Sequence, residues 1–220
     1  WGVLNLAKFE VAIVIPAYNE EDTIEAVVSS ILNYGTAIVI DDGSTDKTSQ
    51  RAEKSGAIVI SHLTNQGYDW ALNTGFKKAV ELNFSAVITF DADGQHSADS
   101  LSQYIYELKS GTQLVLGIRP NNQRFAEWLF RVYAKFRFNW NDPLCGMKGY
   151  NISLINKFDK IITYESIGTE LALKSIKSNC SVKQIYIKNY KRIGDSRFGD
   201  GFLVNLKIAK ALVMGLIKFR

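Results

Sequence analysis

Runs of four or five apolar residues, at 11–15, 37–40, 57–61 and 86–90, recur through the first half of the chain. The first three lead through turn residues into longer stretches with helical spacing, ending near residues 32, 54 and 82. Unbroken Val- and Ile-rich runs predict strands covered on both faces rather than half-exposed ones. Strand and helix alternating at this spacing predict right-handed crossovers and a mostly parallel central sheet flanked by helices, an α/β fold. A chain of 220 residues suits a single such domain.

Chemistry gathers where the strands end. The first strand runs into Pro16-Ala17-Tyr18-Asn19-Glu20, which holds no glycine for a pyrophosphate to approach. A dinucleotide-binding Rossmann unit, which needs G-x-G-x-x-G there, is therefore not expected. The second strand ends in Asp41-Asp42-Gly43-Ser44-Thr45-Asp46. Gly43 permits a tight turn, and Ser44, Thr45 and Asp46 are capping residues for the next helix. Asp42 is placed to accept hydrogen bonds from a ribose or base, and Tyr18 to pack against the base. The fourth strand delivers Asp91 and Asp93, one residue apart, to its carboxyl end. Two carboxylates that close repel, and a hard divalent cation keeps both ionised at low cost. Gln95 and His96 follow and offer an amide oxygen and an imidazole. The plainer reading of a lone D-x-D is a loop whose acids cap a helix.

Charge divides the chain unevenly. Residues 1–110 carry 7 Lys and Arg against 15 Asp and Glu, whereas residues 111–220 carry 19 against 7. The acidic half suits a cation and the basic half an anion. No zinc, helix-turn-helix or aromatic-sheet signature accompanies the basic residues, so nucleic acid is not the expected partner. Two cysteines, Cys145 and Cys180, make no disulfide framework, which points to a reducing, cytoplasmic setting. Residues 1–10 read as a tag or leader remnant, and 11–220 as the folded domain, with a nucleotide- and cation-binding half to 118 and a second half from 119.

Residues 123–140, QRFAEWLFRVYAKFRFNW, predict an amphipathic helix. Phe125, Trp128, Leu129, Val132 and Phe136 share one face, and Arg124, Arg131 and Lys135 a neighbouring one. Such a helix either packs on the core or lies at a membrane interface beneath a lipid phosphate. The last stretch, 202–220, is apolar but broken by Lys207, Lys210 and Lys218, too charged for a membrane span.

Four of these segments together carry a resemblance. IPAYNEE (15–21), DDGSTDKT (41–48), NQGYDWALNTGFKKA (65–79) and FDADGQH (90–96) follow the order and spacing of the family-2 inverting nucleotide-sugar glycosyltransferases of GT-A fold. GIR (117–119), DPLCGMKGY (142–150), the segment 170–174 and GDSRFG (194–199) extend the likeness across nearly the whole chain. The closest branch resembles the dolichol-phosphate mannose synthases and polyprenyl-phosphate glycosyltransferases.

The resemblance implies roles. Pro16, Ala17, Tyr18 and Glu20 would line the nucleotide of a GDP- or UDP-sugar, with Ile40 and Asp42 at base and ribose. Asp91, Ala92, Asp93 and Gln95 would form the motif holding Mg2+ or Mn2+ against the diphosphate. Arg119 would contact phosphate, and Lys191, Arg192 and Arg197 would bring positive charge from a late loop. In that loop lysine takes the first basic position and arginine the last, which leaves open which cation reaches the diphosphate. Arg124, Arg131 and Lys135 would face a lipid-phosphate acceptor at the cytoplasmic face of a membrane. A phosphate acceptor is already anionic, whereas a hydroxyl acceptor on a saccharide needs a base, for which Glu170 and Asp142 are candidates. A non-catalytic nucleotide-binding subunit of a membrane assembly is the alternative of another class.

Overall fold

The computed structural model describes residues 9–120, 125–158 and 167–188. The chain opens with β1 (Val11–Ala17), α1 (Ile24–Ile31), β2 (Thr36–Asp41), α2 (Thr48–Lys54), β3 (Ile58–Ser61), α3 (Tyr68–Glu81) and β4 (Ala86–Thr89). It continues through α4 (Ser100–Lys109), β5 (Leu114–Ile118), α5 (Phe125–Phe138), β6 (Lys148–Asn151), α6 (Ile152–Lys157), α7 (Ile167–Lys177) and β7 (Val182–Tyr186). The strands form one sheet in the order β3-β2-β1-β4-β6-β5-β7. All pairs are parallel except those of β6, which runs antiparallel to both β4 and β5.

Both faces of the central strands β1, β2, β4 and β5 are buried, which is why they read as apolar runs, whereas the edge strands β3 and β7 are partly exposed. Val11, Ile13 and Ile15 point to one side with α1 and α4, against Ile24, Val28, Leu101 and Tyr104. Ala12 and Val14 point to the other, against Ala71, Leu72 and Phe76 of α3 and Leu171 of α7. Each fully buried Val, Leu or Ile contributes about 1.5–3 kcal/mol relative to exposure. Gly75 lets α3 close on β1, since a Cβ there would overlap the methyls of Val14.

Two boundaries differ from the periodicity. β1 continues through Pro16 to Ala17, two residues past the expected end. Its pairing with β4 stops at Val14 opposite Thr89, so the missing Pro16 N–H costs no rung on that side. α3 begins at Tyr68, two residues before the start at Trp70 that the helical spacing predicts, because Gly67, at φ 97, turns the chain directly into it. Glu10, within the leader expected from sequence, joins the fold: its carbonyl accepts from Ser85 N at 2.8 Å, and Phe9 packs on the core.

Candidate active site

Parallel strands bring the ends of β1, β2 and β4 to one edge, and the loops there are tied to one another. Ser44 Oγ accepts from Asn19 N at 2.8 Å, Thr48 Oγ1 from Glu20 N at 2.7 Å, and Asp46 Oδ2 from Glu21 N at 3.2 Å. The capping residues expected to serve α2 thus serve largely the loop before α1. Tyr18 stands above this junction with an exposed ring.

Beside it, Asp42 is buried. Its carboxylate accepts from Gln66 N at 2.9 Å and Gly67 N at 2.7 Å and lies 2.7 Å from His62 Nδ1. His62 Nε2 in turn meets Thr74 Oγ1 at 2.9 Å. In this structure Asp42 holds the loop that launches α3, where the sequence placed it at the ribose. Strand alternation turns the Ile40 side chain into the core on the α3 side, where it is fully buried.

Asp91 lies just past β4 with 27% of its side chain exposed. Tyr68, at the start of α3, donates its hydroxyl to Oδ1 at 3.2 Å, and His96 Nε2 meets Oδ2 at 2.8 Å. Burial works to raise the Asp91 pKa and to lower that of His96, but their mutual attraction outweighs it in both. Asp91 is therefore held below, and His96 above, its ordinary value. Asp93 and Ala92 are buried, and Asp93 Oδ1 accepts from Gln95 N at 3.0 Å in a turn that Gly94, at φ 72, completes.

The start of β6 closes the site from the other side. Thr89 Oγ1 donates to the Gly146 carbonyl and accepts from Lys148 N at 3.0 Å. A Cβ on Gly146 would fall 2.8 Å from Asp91 Oδ1 and 2.9 Å from its Cγ, so backbone alone fits there. Tyr68, Gly146 and Lys148 were not among the residues expected from sequence. Period-two alternation in G-M-K-G-Y does place 146, 148 and 150 on one face.

The basic residues divide differently from expectation. Arg119, expected at phosphate, forks onto Asp142, with Nε to Oδ2 at 2.8 Å and Nη2 to Oδ1 at 2.9 Å, and lies 3.5 Å from Glu127. Arg131, expected at the acceptor, donates to the carbonyls of Asn141 and Arg119 at 2.9 and 3.0 Å and stands 3.4 Å from Asp142. Burial works against the charge on Asp142, but the Arg119 fork holds its pKa below the usual range. Asp142 is therefore held as an anion between two guanidinium groups. Glu170 pairs with Lys174 at 2.9 Å along its own helix. Lys135 is exposed, bonded to Asn139 Oδ1 at 3.0 Å. Arg124, Lys191, Arg192 and Arg197, with the stretch 202–220, lie outside the described residues. Burial pushes the Cys145 thiol up to about 12, leaving it inert as a nucleophile.

α5 turns the apolar stripe read from its sequence outward. Glu127, Phe130 and Ala134 are buried, whereas Trp128, Leu129, Val132 and Phe136 face solvent, Phe136 at 90% exposure. The buried face is decided by the Arg119–Asp142–Arg131–Glu127 cluster, which anchors the helix by charge.

Among the described residues no three His, Cys, Asp or Glu side chains stand together as a metal cage. Two hard carboxylates one residue apart past the end of β4, Asp91 partly exposed and Asp93 buried, still suit Mg2+ or Mn2+, which take their remaining ligands from water and phosphate oxygens.

A mostly parallel sheet, with loops from β1, β2 and β4 converging on two carboxylates, defines an α/β enzyme of GT-A fold. Residues 12–167 match the family model described as Glycosyl transferase family 2. The chain belongs to that family and is a glycosyltransferase. An uncharacterized protein of Methanocaldococcus jannaschii is 29% identical over 226 residues, covering 94% of this chain and 92% of its own. The UDP-N-acetylglucosamine–dolichyl-phosphate N-acetylglucosaminyltransferase of Methanococcus voltae is 35% identical over 132 residues, 51% of this chain and 53% of that enzyme. Glucosyl-3-phosphoglycerate synthase of Mycobacterium tuberculosis, solved with Mn2+, uridine diphosphate and phosphoglyceric acid, shares the fold at a TM-score of 0.75 and 22% identity, covering 96% of this chain and 78% of that one.

Proposed function

We propose that the chain transfers a sugar, with inversion, from a nucleoside-diphosphate sugar to a polyprenyl phosphate. The observation that carries this reading is Asp91, just past the carboxyl end of β4, oriented by Tyr68 and His96 and partly open to solvent. Asp91 and Asp93 would hold a divalent cation, which when bound supplies Lewis-acid stabilisation to the departing diphosphate. Tyr68 and His96 keep the Asp91 carboxylate aimed, and Gly146 leaves room for it. An acceptor phosphate oxygen attacks the anomeric carbon as the bond to the diphosphate breaks, and the electron pair leaves with the nucleoside diphosphate. That acceptor needs no general base, in keeping with Glu170 being engaged by Lys174.

A lipid acceptor is supported by the exposed face of α5. Trp128, Leu129, Val132 and Phe136 stand beside the exposed Lys135 and Arg137, the composition of an interfacial helix. No helix among the described residues is long and apolar enough to cross a membrane, so contact through this face would be peripheral. The acceptor named for the Methanococcus voltae relative is a dolichyl phosphate, which favours the same class.

The test is a panel of UDP- and GDP-sugars with Mg2+ or Mn2+, assayed for nucleotide release with and without a polyprenyl phosphate. Release that depends on both metal and lipid is expected; release that lipid does not stimulate removes the acceptor assignment. Replacing Trp128 and Phe136 together by serine should weaken binding to anionic vesicles about tenfold or more, since each buries about 1.5–3 kcal/mol at an apolar surface. The melting temperature should hold, because both are exposed. Unchanged vesicle binding would exclude α5 as the membrane face.

A further inference from the structure

Lys148 is a buried lysine to which the reaction above gives no part. It is the first residue of β6, on the face of that strand that carries Tyr150, and its ammonium folds back to donate to the Cys145 carbonyl. Cys145 directly precedes Gly146, whose missing side chain admits the Asp91 carboxylate. β6 runs antiparallel to β4, so its beginning lies at the edge where β4 ends. Folding back toward Cys145 therefore carries the ammonium toward that edge, on the face Asp91 occupies. The Trp140 ring lies 5.8 Å away, and a Cβ on Gly168, at the start of α7, would stand 4.0 Å from it.

Its bonding is sparse for such a position. An ammonium carries three donors, and among the described residues Lys148 uses one, on a neutral carbonyl. Asp142 and Asp91 act on it through space. Burial disfavours the charge and lowers the pKa despite these acids. A methionine would fill the same volume without that penalty, so packing does not explain a lysine here.

We propose that Lys148 is an electrostatic positioning residue of the donor site: a fixed cation beneath Asp91 that favours the negative charge of the nucleoside diphosphate and of its departure. This rests on the donor reading above. The sign of the charge makes the inference separable from a structural role. A cation beneath the site attracts the diphosphate and repels a metal ion, whereas a mere prop would support both or neither.

The test compares wild type with Lys148→Met and Lys148→Arg, using Mn2+ alone, UDP or GDP with Mn2+, steady-state turnover and thermal melting. In K148M we expect nucleoside diphosphate affinity and kcat to fall tenfold or more, Mn2+ affinity to hold or tighten, and the melting temperature to hold or rise. K148R should recover part of the nucleotide affinity. A K148M protein that melts lower and loses Mn2+ and nucleotide together would make Lys148 a prop and overturn the proposal. So would one whose nucleotide affinity and turnover match wild type. If wild type binds neither nucleotide with Mn2+, the donor reading itself falls, a result visible before any variant is made.

Discussion

Gly146 offers the sharpest test of the site, because the space it leaves is filled by a functional carboxylate. Gly146→Ala puts a methyl 2.8 Å from Asp91 Oδ1 and 2.9 Å from Cγ, and nearer still to Oδ2. Ordinary contact begins near 3.4 Å, so Asp91 must retreat by at least 0.6 Å, and by about 1 Å where the approach is closest. The strand cannot yield instead, because Thr89 Oγ1 grips it at both the Gly146 carbonyl and the Lys148 amide. Displacing a reacting group by about 1 Å costs roughly 10²-fold in rate, or about 2.7 kcal/mol of transition-state stabilisation. Stability should respond far less. Gly146 is not in the left-handed region, so alanine suits its backbone. The shift would loosen the Tyr68 and His96 hydrogen bonds to Asp91, a loss of about 1–3 kcal/mol and a few degrees of melting temperature. The assay is metal-dependent nucleotide release, with Mn2+ titrated against each protein and melting followed in parallel. G146A activity within threefold of wild type, at unchanged Mn2+ affinity, would refute a metal role for Asp91 in this geometry.

Two further outcomes follow from buried charge. Asp142→Ala leaves the Arg119 and Arg131 guanidinium groups without their shared carboxylate, which should cost about 3–5 kcal/mol and lower the melting temperature by about 10 °C or more; Asp142→Asn should fall between. In metal-free protein, the Asp91–His96 pair should contribute fully between about pH 4 and pH 6.5, the unfolded values of the two groups. Its contribution should fade as pH rises through the elevated His96 pKa, or falls through the depressed Asp91 pKa. His96→Gln should flatten that alkaline slope in melting curves; an identical slope would show that the pair does not couple.

The central strands of the first half were legible because burial on both faces leaves a signal that needs no partner to be read. The runs at 11–15, 37–40 and 86–90 are β1, β2 and β4 nearly residue for residue. Asp91 and Asp93 were legible for the same reason, being fixed by the strand before them. What could not be read was the fate of a polar side chain once the loops meet. Asp42 and Arg119 sit where motif order places them, yet each is taken up by partners from distant segments, Gln66, Gly67 and His62 in one case and Asp142 in the other. Long-range partners of this kind leave no periodicity. For α5 the spacing left two readings open, a core helix or an interfacial one, and only the structure turns its apolar stripe to the surface. The face that turns inward is the one carrying Glu127 and Arg131, because a buried Asp142 recruits them.

Strand direction explains why half of the site went unread. In a wholly parallel sheet every functional residue lies after a strand, and a search of strand ends finds it. β6 is inserted in reverse between β4 and β5, so the residues it adds to the functional edge precede the strand and occupy its first positions. Gly146 and Lys148 are such residues, one removing a side chain so that Asp91 fits and the other tucking an ammonium beneath it. A segment read only as a strand entering the sheet is thus also the floor of the site. The reversed strand lets two neighbouring strands, β4 at its end and β6 at its start, present carboxylate and cation to the same ligand from opposite chain directions.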